Sequence, residues 1–487
     1  MKGNKVEVGI MGRRVDGHSR RLYFVIGFLV LLTVAVPLQA FNVGDISFYV
    51  TNDFLYQYNQ LTYNNKENQF YESLTLFANY KKWSVGLTLR GNNFFKQSPN
   101  MTLEDPQLDV FRKYVQYSSK HLKITVGDFY SLLGRGMVLS VLKNEDILRE
   151  RTILGGDVRY NRGRLDLRVL GGRVKDETEN QEWTVAGGEI NLEYVKHHRI
   201  GFHFSYIDDI DTRRQLGKRL TTSISLKGSQ LFKNISYYTE VALLDYQDTD
   251  ALVFTDNGYG IYSNVTYSKS HVTCFLEFKR YKDFNNEMNN PPAADREDEI
   301  ASIRDTTGLR FYFQYAFFEP DITLFFNAAR YEEHGDTGNH FYGGVNIEDL
   351  MDRLNLSLSY GVRDIHYRIK RWDGHLIYQF TDRWSSEIIF KDKHYRDGSF
   401  IFKEIDYNFQ VSYSPFISVF FLHQYSHNRI ANLNYFFSGG IKVYLPGGTV
   451  VELSGGTIRG GQICSGGQCF VAPPFKGVKC FILHTFK

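Results

Sequence analysis

Between Arg353 and Arg363, Leu354, Leu356, Leu358, Tyr360 and Val362 occupy one parity of the chain. Asn355, Ser357, Ser359, Gly361 and Arg363 occupy the other. Successive side chains of a strand point to opposite faces, so this segment reads as a strand with one apolar and one polar face. The pattern recurs. Ile46, Phe48, Val50, Phe54, Tyr56 and Tyr58 oppose Ser47, Thr51, Asp53 and Gln57; Val272, Cys274, Leu276 and Phe278 oppose His271, Thr273 and Glu277; Ile405, Tyr407, Phe409, Val411 and Tyr413 oppose Glu404, Asp406, Asn408, Gln410 and Ser412. No comparably long stretch keeps a helical period. With 39 Phe, 33 Tyr and only 10 Pro in 487 residues, the composition suits strands throughout.

The connections carry a second signal. Tight turns are read at 80–83, 118–122, 161–164, 196–199, 232–234, 268–271, 319–321, 351–353, 381–384, 414–416 and 445–449. Between them lie longer, more polar connections such as "QYNQLTYNNKENQ", "KQSPNMTLEDPQ", "DDIDTRRQLGK" and "NNEMNNPPAADREDEIASIRDT". Alternating short and long connections are the mark of an outer-membrane barrel, with short turns periplasmic and long loops extracellular. The fold class expected is all-β: one large antiparallel transmembrane β-barrel of about 24 strands, between about 22 and 26, with both termini at the short-turn end. A β-propeller is the rival architecture, but no repeat of propeller length recurs.

Lipid explains the alternation. Hydrocarbon offers no hydrogen bonds, so a spanning sheet must close and leave no edge. Leu354, Leu356, Leu358, Tyr360 and Val362 are then lipid-facing, and the serine–asparagine face meets water or packed polar groups. The mean hydropathy of −0.34, which would usually indicate a soluble chain, has no such meaning when only alternate residues meet lipid.

The first forty residues differ from the rest. Arg13, Arg14, Arg20 and Arg21 precede an apolar run from Leu22 to Val36, then Pro37-Leu38-Gln39-Ala40. This order predicts a secretory signal peptide over 1–40, cleaved after Ala40, with the barrel over 41–487. The apolar run falls short of the ~20 residues that a spanning helix needs. The expected location is the outer membrane of a Gram-negative bacterium. A net charge of +3 gives no footing for a nucleic-acid partner. The last strand ends near Phe486, an aromatic ending of the kind barrel-assembly machinery reads, although Lys487 follows it.

One segment breaks the hairpin rhythm. Residues 127–156, "GDFYSLLGRGMVLSVLKNEDILRERTILGG", are too apolar for a free loop and are expected to fold into the barrel. Gly134 and Gly136 bracket Arg135, permitting close backbone packing around a buried cation. Arg135, Arg149, Glu150 and Arg151 are the candidate lumen constriction, since charged linings set pore selectivity. A structural inner latch, its arginines paired with luminal carboxylates, is the competing reading. The blocks "GDFYSLLGRGMVLS" and "GGQICSGGQCFVAPPFKGV" resemble a family of uncharacterised outer-membrane barrels of Bacteroidota and related Gram-negative bacteria. That resemblance implies barrel fold and location, and no substrate.

Of the four cysteines, Cys464 and Cys469 flank a glycine turn and are expected to form a disulfide in an oxidising compartment. Cys274 and Cys480 read as packing thiols. Acidic groups at Asp208, Asp209 and Asp211, at Asp248, Asp250 and Asp256, and at Asp295, Glu297, Asp298 and Glu299 lack the spacing of a calcium loop. His423 and His427 share a strand face, a weak metal signal. No nucleophile elbow, metalloprotease helix or phosphate loop is present, so neither a cofactor nor an enzyme is expected. The expected function is a porin-like channel for a polar solute. The alternative is a non-transporting surface adhesin, or a partner in an envelope export complex.

Overall fold

A computed structural model describes residues 41–485 apart from 61–67, 93–107, 145–148, 177–180, 210–216, 248–255, 294–304 and the short stretches 287, 319–320, 334, 366, 399, 431–432, 466–467 and 473. Residues 1–40, with the expected signal peptide, and Phe486 lie outside the described residues.

The described strands form one closed antiparallel wall of 24 strands, from Ile46–Asn59 to Phe475–Thr485. Closure is a ladder between these two, running from Thr51↔Thr485 to Asn59↔Gly477. Below Thr51 the short strand Phe41–Val43 folds back and pairs with Ile46–Phe48. The N-terminal hairpin thus covers the stretch of edge that the last strand does not reach, which leaves fewer unpaired amides at the seam. Following opposed residues once round the wall returns to the first strand about 24 residues away. A shear equal to the strand number sets a tilt of about 36° and a backbone diameter of roughly 45 Å.

The register also sorts the two faces. Leu358 opposes Val345, Val345 shares a face with Phe341, and Phe341 opposes Val362. Phe341 is 51% exposed, and comparable apolar residues right round the wall are 44–63% exposed: Val85, Val169, Ile190, Phe202, Leu276, Phe326, Phe409 and Leu453. Leu354, Leu356, Leu358, Tyr360 and Val362 lie on this outer face. Ser357 lies on the inner one and donates to Asn346 Oδ1 at 2.7 Å. From Leu354 to Val362 the apolar band is roughly 21 Å high, close to the apolar height of outer-membrane barrels. At the short-turn end aromatic pairs ring the wall, including Trp83–Tyr117 at 5.0 Å, Trp384–Tyr413 at 4.9 Å and Tyr378–Phe380 at 5.0 Å. Leu358→Arg is expected to destabilise the barrel refolded in lipid vesicles by about 2–4 kcal/mol, whereas Ser359→Arg, on the inner face, costs little. Urea unfolding of the two variants checks this.

One expectation fails. Long and short connections do not alternate throughout. Between Thr306 and Ile458 both ends are tight: the strands Asp321–Glu333 and Asp336–Leu350 follow almost directly, as do Leu354–Ile365 and Tyr367–Gln379. The long connections gather between Asn59 and Thr306 and before the last strand. The strand ends from which they leave therefore cluster on one side of the mouth.

Candidate functional site

Two of these connections enter the barrel and lock together. The first runs from Tyr130 to Thr152, between the wall strands Leu122–Phe129 and Ile153–Arg162. The ends of the 127–156 segment thus belong to the wall. Its short strands Ser131–Leu133 and Leu139–Val141 pair with each other. Leu133, Val138, Leu139 and Val141 have no exposed surface and pack with Leu170, Val174, Trp183, Val185 and Ile207. By register these five wall residues face inward. Met137 packs with Ala242, Leu244, Tyr262 and Tyr281. Each such buried side chain contributes about 1.5–3 kcal/mol.

The tip is held by a carboxylate. Glu240, fully buried on the inner wall, accepts Arg135 N–H at 3.0 Å, Tyr238 O–H at 2.5 Å and Ser223 O–H at 2.7 Å. Gly134 (φ +60°) and Gly136 (φ +82°) shape this turn, and a Cβ on Gly134 would lie 2.2 Å from Glu240 Oε1. Arg135 itself is exposed, which corrects the expectation of a buried cation. The glycines bring backbone, not guanidinium, against the wall. The guanidinium lies over the Tyr238 and Tyr262 rings at 5.3 and 5.1 Å and donates to Tyr262 Oη at 3.0 Å. Tyr262 in turn donates to Glu277 at 2.8 Å, and Glu277 also lies 3.4 Å from Lys279 and 3.5 Å from Arg310.

Arg168 holds the base of the loop. It is 4% exposed, donates to Asp157 Oδ1 at 2.8 Å, and reaches the carbonyls of Leu132 at 3.1 Å and Tyr130 at 3.5 Å. One wall arginine thus joins a buried carboxylate to two loop carbonyls.

The second inward segment, Asp283–Ala293, was not legible as one. Phe284, Asn286 and Met288 are buried. Ser140 N–H donates to Met288 O at 2.6 Å and Asn290 N–H to Gly136 O at 2.8 Å, joining the two loops. The Asn286 amide donates to Val138 O at 2.9 Å and Thr221 Oγ1 at 2.8 Å. Tyr281 donates to Pro292 O at 2.9 Å, and Lys279 to Ala293 O. The available signal was the inner parity of strands 165–209, which turns apolar at Leu170, Val174, Trp183 and Val185.

Of the other candidates, Arg151 sits over the Trp183 ring at 5.5 Å. Arg149 and Glu150 pair through their backbones with Asn144 and Lys143. The side chains of Arg149 and Glu150 lie outside the described residues. Cys464 and Cys469 are directly opposed in a hairpin closed by two residues, one pair in from the turn. Opposed pairs at such a position have Cα atoms about 4.5 Å apart, within disulfide reach. The structure shows no disulfide among the described residues; if the bond expected from the sequence forms, thiol titration of the denatured protein gives two thiols, Cys274 and Cys480, and four after reduction. Among the described residues no group of three or more His, Cys, Asp or Glu could hold a metal. Asp211, Asp248, Asp250 and Asp295–Glu299 lie outside them. His423 is stacked against Phe437 at 4.8 Å and Tyr407 at 6.2 Å on the outer face.

The fold resembles known barrels. The E. coli P pilus tip assembly intermediate PapC-PapD-PapK-PapG aligns over 92% of this chain and 62% of its own, at 7% identity and TM-score 0.53. The P pilus usher PapC translocation pore aligns over 91% and 99%, at 7% identity and TM-score 0.48. The copper transporter OprC aligns over 92% and 82%, at 11% identity and TM-score 0.47. No curated protein sequence matches. The sequence model of one family, of unknown function, matches residues 23–303, more than half of the chain. The protein therefore belongs to the DUF6029 family.

Proposed function

We propose that the protein is an outer-membrane channel for a polar solute, with its termini in the periplasm and its long connections outside. The observation that carries this reading is the division of the inner wall. The buried apolar packing of both inward loops falls on the wall between Leu122 and Lys282, while Tyr130 also meets Arg112 and Asp283 N–H donates to Asp305 beyond it. Much of the remaining wall faces inward with charged groups, paired as Arg371–Asp373 at 2.7 Å, His375–Glu387 at 2.8 Å, Lys442–Glu452 at 3.4 Å and Arg459–Glu404 at 2.5 Å. A side lined in this way favours water and small polar solutes, while the loops narrow the opposite side. Leu354, Leu356, Leu358, Tyr360 and Val362 meet lipid in this reading. Arg135, exposed at the loop tip, is the charge that passing ions encounter. Purified protein in planar bilayers is expected to give discrete conductance steps. A barrel that inserts yet stays electrically silent overturns the reading.

A further inference from the structure

Phe275, Tyr312, Phe325 and Tyr342 stand on four neighbouring strands, outside the two buried apolar clusters that the inward loops form. All four face inward. Phe275 shares its face with Glu277 and Lys279 and opposes Tyr312; Tyr312 opposes Asn327, and Asn327 opposes Tyr342. Each ring is partly exposed. Phe275 and Tyr312 are stacked at 4.9 Å and 15°. Phe325 lies over Gly344, where a Cβ would stand 2.6 Å from its Cζ, and meets Tyr342 at 6.0 Å. A ring laid over glycine on the next strand turns its other face away from the wall.

Apolar rings facing a watery lumen are costly unless something covers them. Polar groups are set among them. Asn327, fully buried between Tyr312 and Tyr342, accepts Arg310 Nε at 2.6 Å through Oδ1, and its Nδ2 has no partner. Tyr312 donates to Gln314 Oε1 at 3.0 Å. The nearby Arg310 guanidinium is engaged by Glu277 and Asn327. Flat rings beside amides, with the local cation already paired, suit a neutral ligand that offers C–H faces to the rings and hydroxyls to the amides. We propose that this aromatic arc is a saccharide-binding subsite of the lumen. It spans three strand spacings, about 14 Å, the length of roughly three pyranose rings. The inference rests on the channel reading and names its solute class.

The test is calorimetric titration of the detergent-purified full chain with maltohexaose, cellohexaose and chitohexaose. At least one is expected to bind, and Phe325→Ala with Tyr342→Ala to weaken it about ten-fold. Phe326→Ala, on the outer face, should leave affinity unchanged. Heat-modifiable gel mobility shows whether each variant has folded, and Phe325→Leu with Tyr342→Leu serves if the alanine pair has not. No binding by any of the three, or binding indifferent to the inward substitutions, overturns the subsite. Conductance without binding leaves the channel standing; binding without conductance sinks the channel and keeps the subsite.

Discussion

Arg168→Met is expected to cost about 3–5 kcal/mol, the usual consequence of removing one member of a buried ion pair. Asp157, 2% exposed, would keep the hydrogen bond from Arg159, whose side chain is 41% exposed. The carbonyls of Leu132 and Tyr130 would lose a charged donor together. Both effects should appear in one experiment: a lower urea midpoint for the barrel, and faster amide exchange confined to Tyr130–Val141. Arg168→Met with Asp157→Leu should recover most of the stability, because a packed apolar pair often replaces a buried ion pair without loss. It should not restore slow exchange, since the loop carbonyls remain without their donor. A single variant within about 1 kcal/mol of the wild type would mean that the loop is not anchored there.

The wall was legible because lipid and lumen impose opposite demands on successive residues. Leu354–Val362 announces its two faces without help from any other strand, and the turns at 161–164, 196–199 and 351–353 fix where strands reverse. The mouth was less legible. Between Thr306 and Ile458 the far-end connections shrink to a residue or two, and no periodicity records how far a strand continues before it turns. The loop Tyr130–Thr152 stood out because its apolar residues are consecutive. Its partner Asp283–Ala293 did not, because Phe284, Met288 and Ala293 are isolated among asparagines and prolines. There the docking is done by the Asn286 side-chain amide, to Val138 and Thr221, and by the Asn290 backbone N–H, to Gly136, and an asparagine that seals a buried contact looks in sequence like one that meets water. Glu240 was hidden for a related reason. A carboxylate at an inner position reads as solvated lining, and only the fold brings Arg135, Tyr238 and Ser223 onto it.

Gly134→Val is expected to lift the loop tip from the wall and raise single-channel conductance by roughly two-fold or more. A β-branched residue at φ +60° is strained in itself, and its Cβ would also collide with Glu240 Oε1 at 2.2 Å. The flexible element should yield, since Glu240 sits on a paired strand and keeps Ser223 and Tyr238 when Arg135 N–H leaves. Removing the tip withdraws Met137 from Ala242, Leu244 and Tyr262, and opens the Asn290–Gly136 hydrogen bond to the second loop. The proper control is Gly163→Val. Gly163 has φ +62° in a short turn with nothing within 4 Å of its would-be Cβ, so the backbone strain is matched while the loop is untouched. That control should conduct like the wild type. Equal currents from Gly134→Val and the wild type, with the variant barrel folded, would show that the docked loops do not limit the path through the lumen.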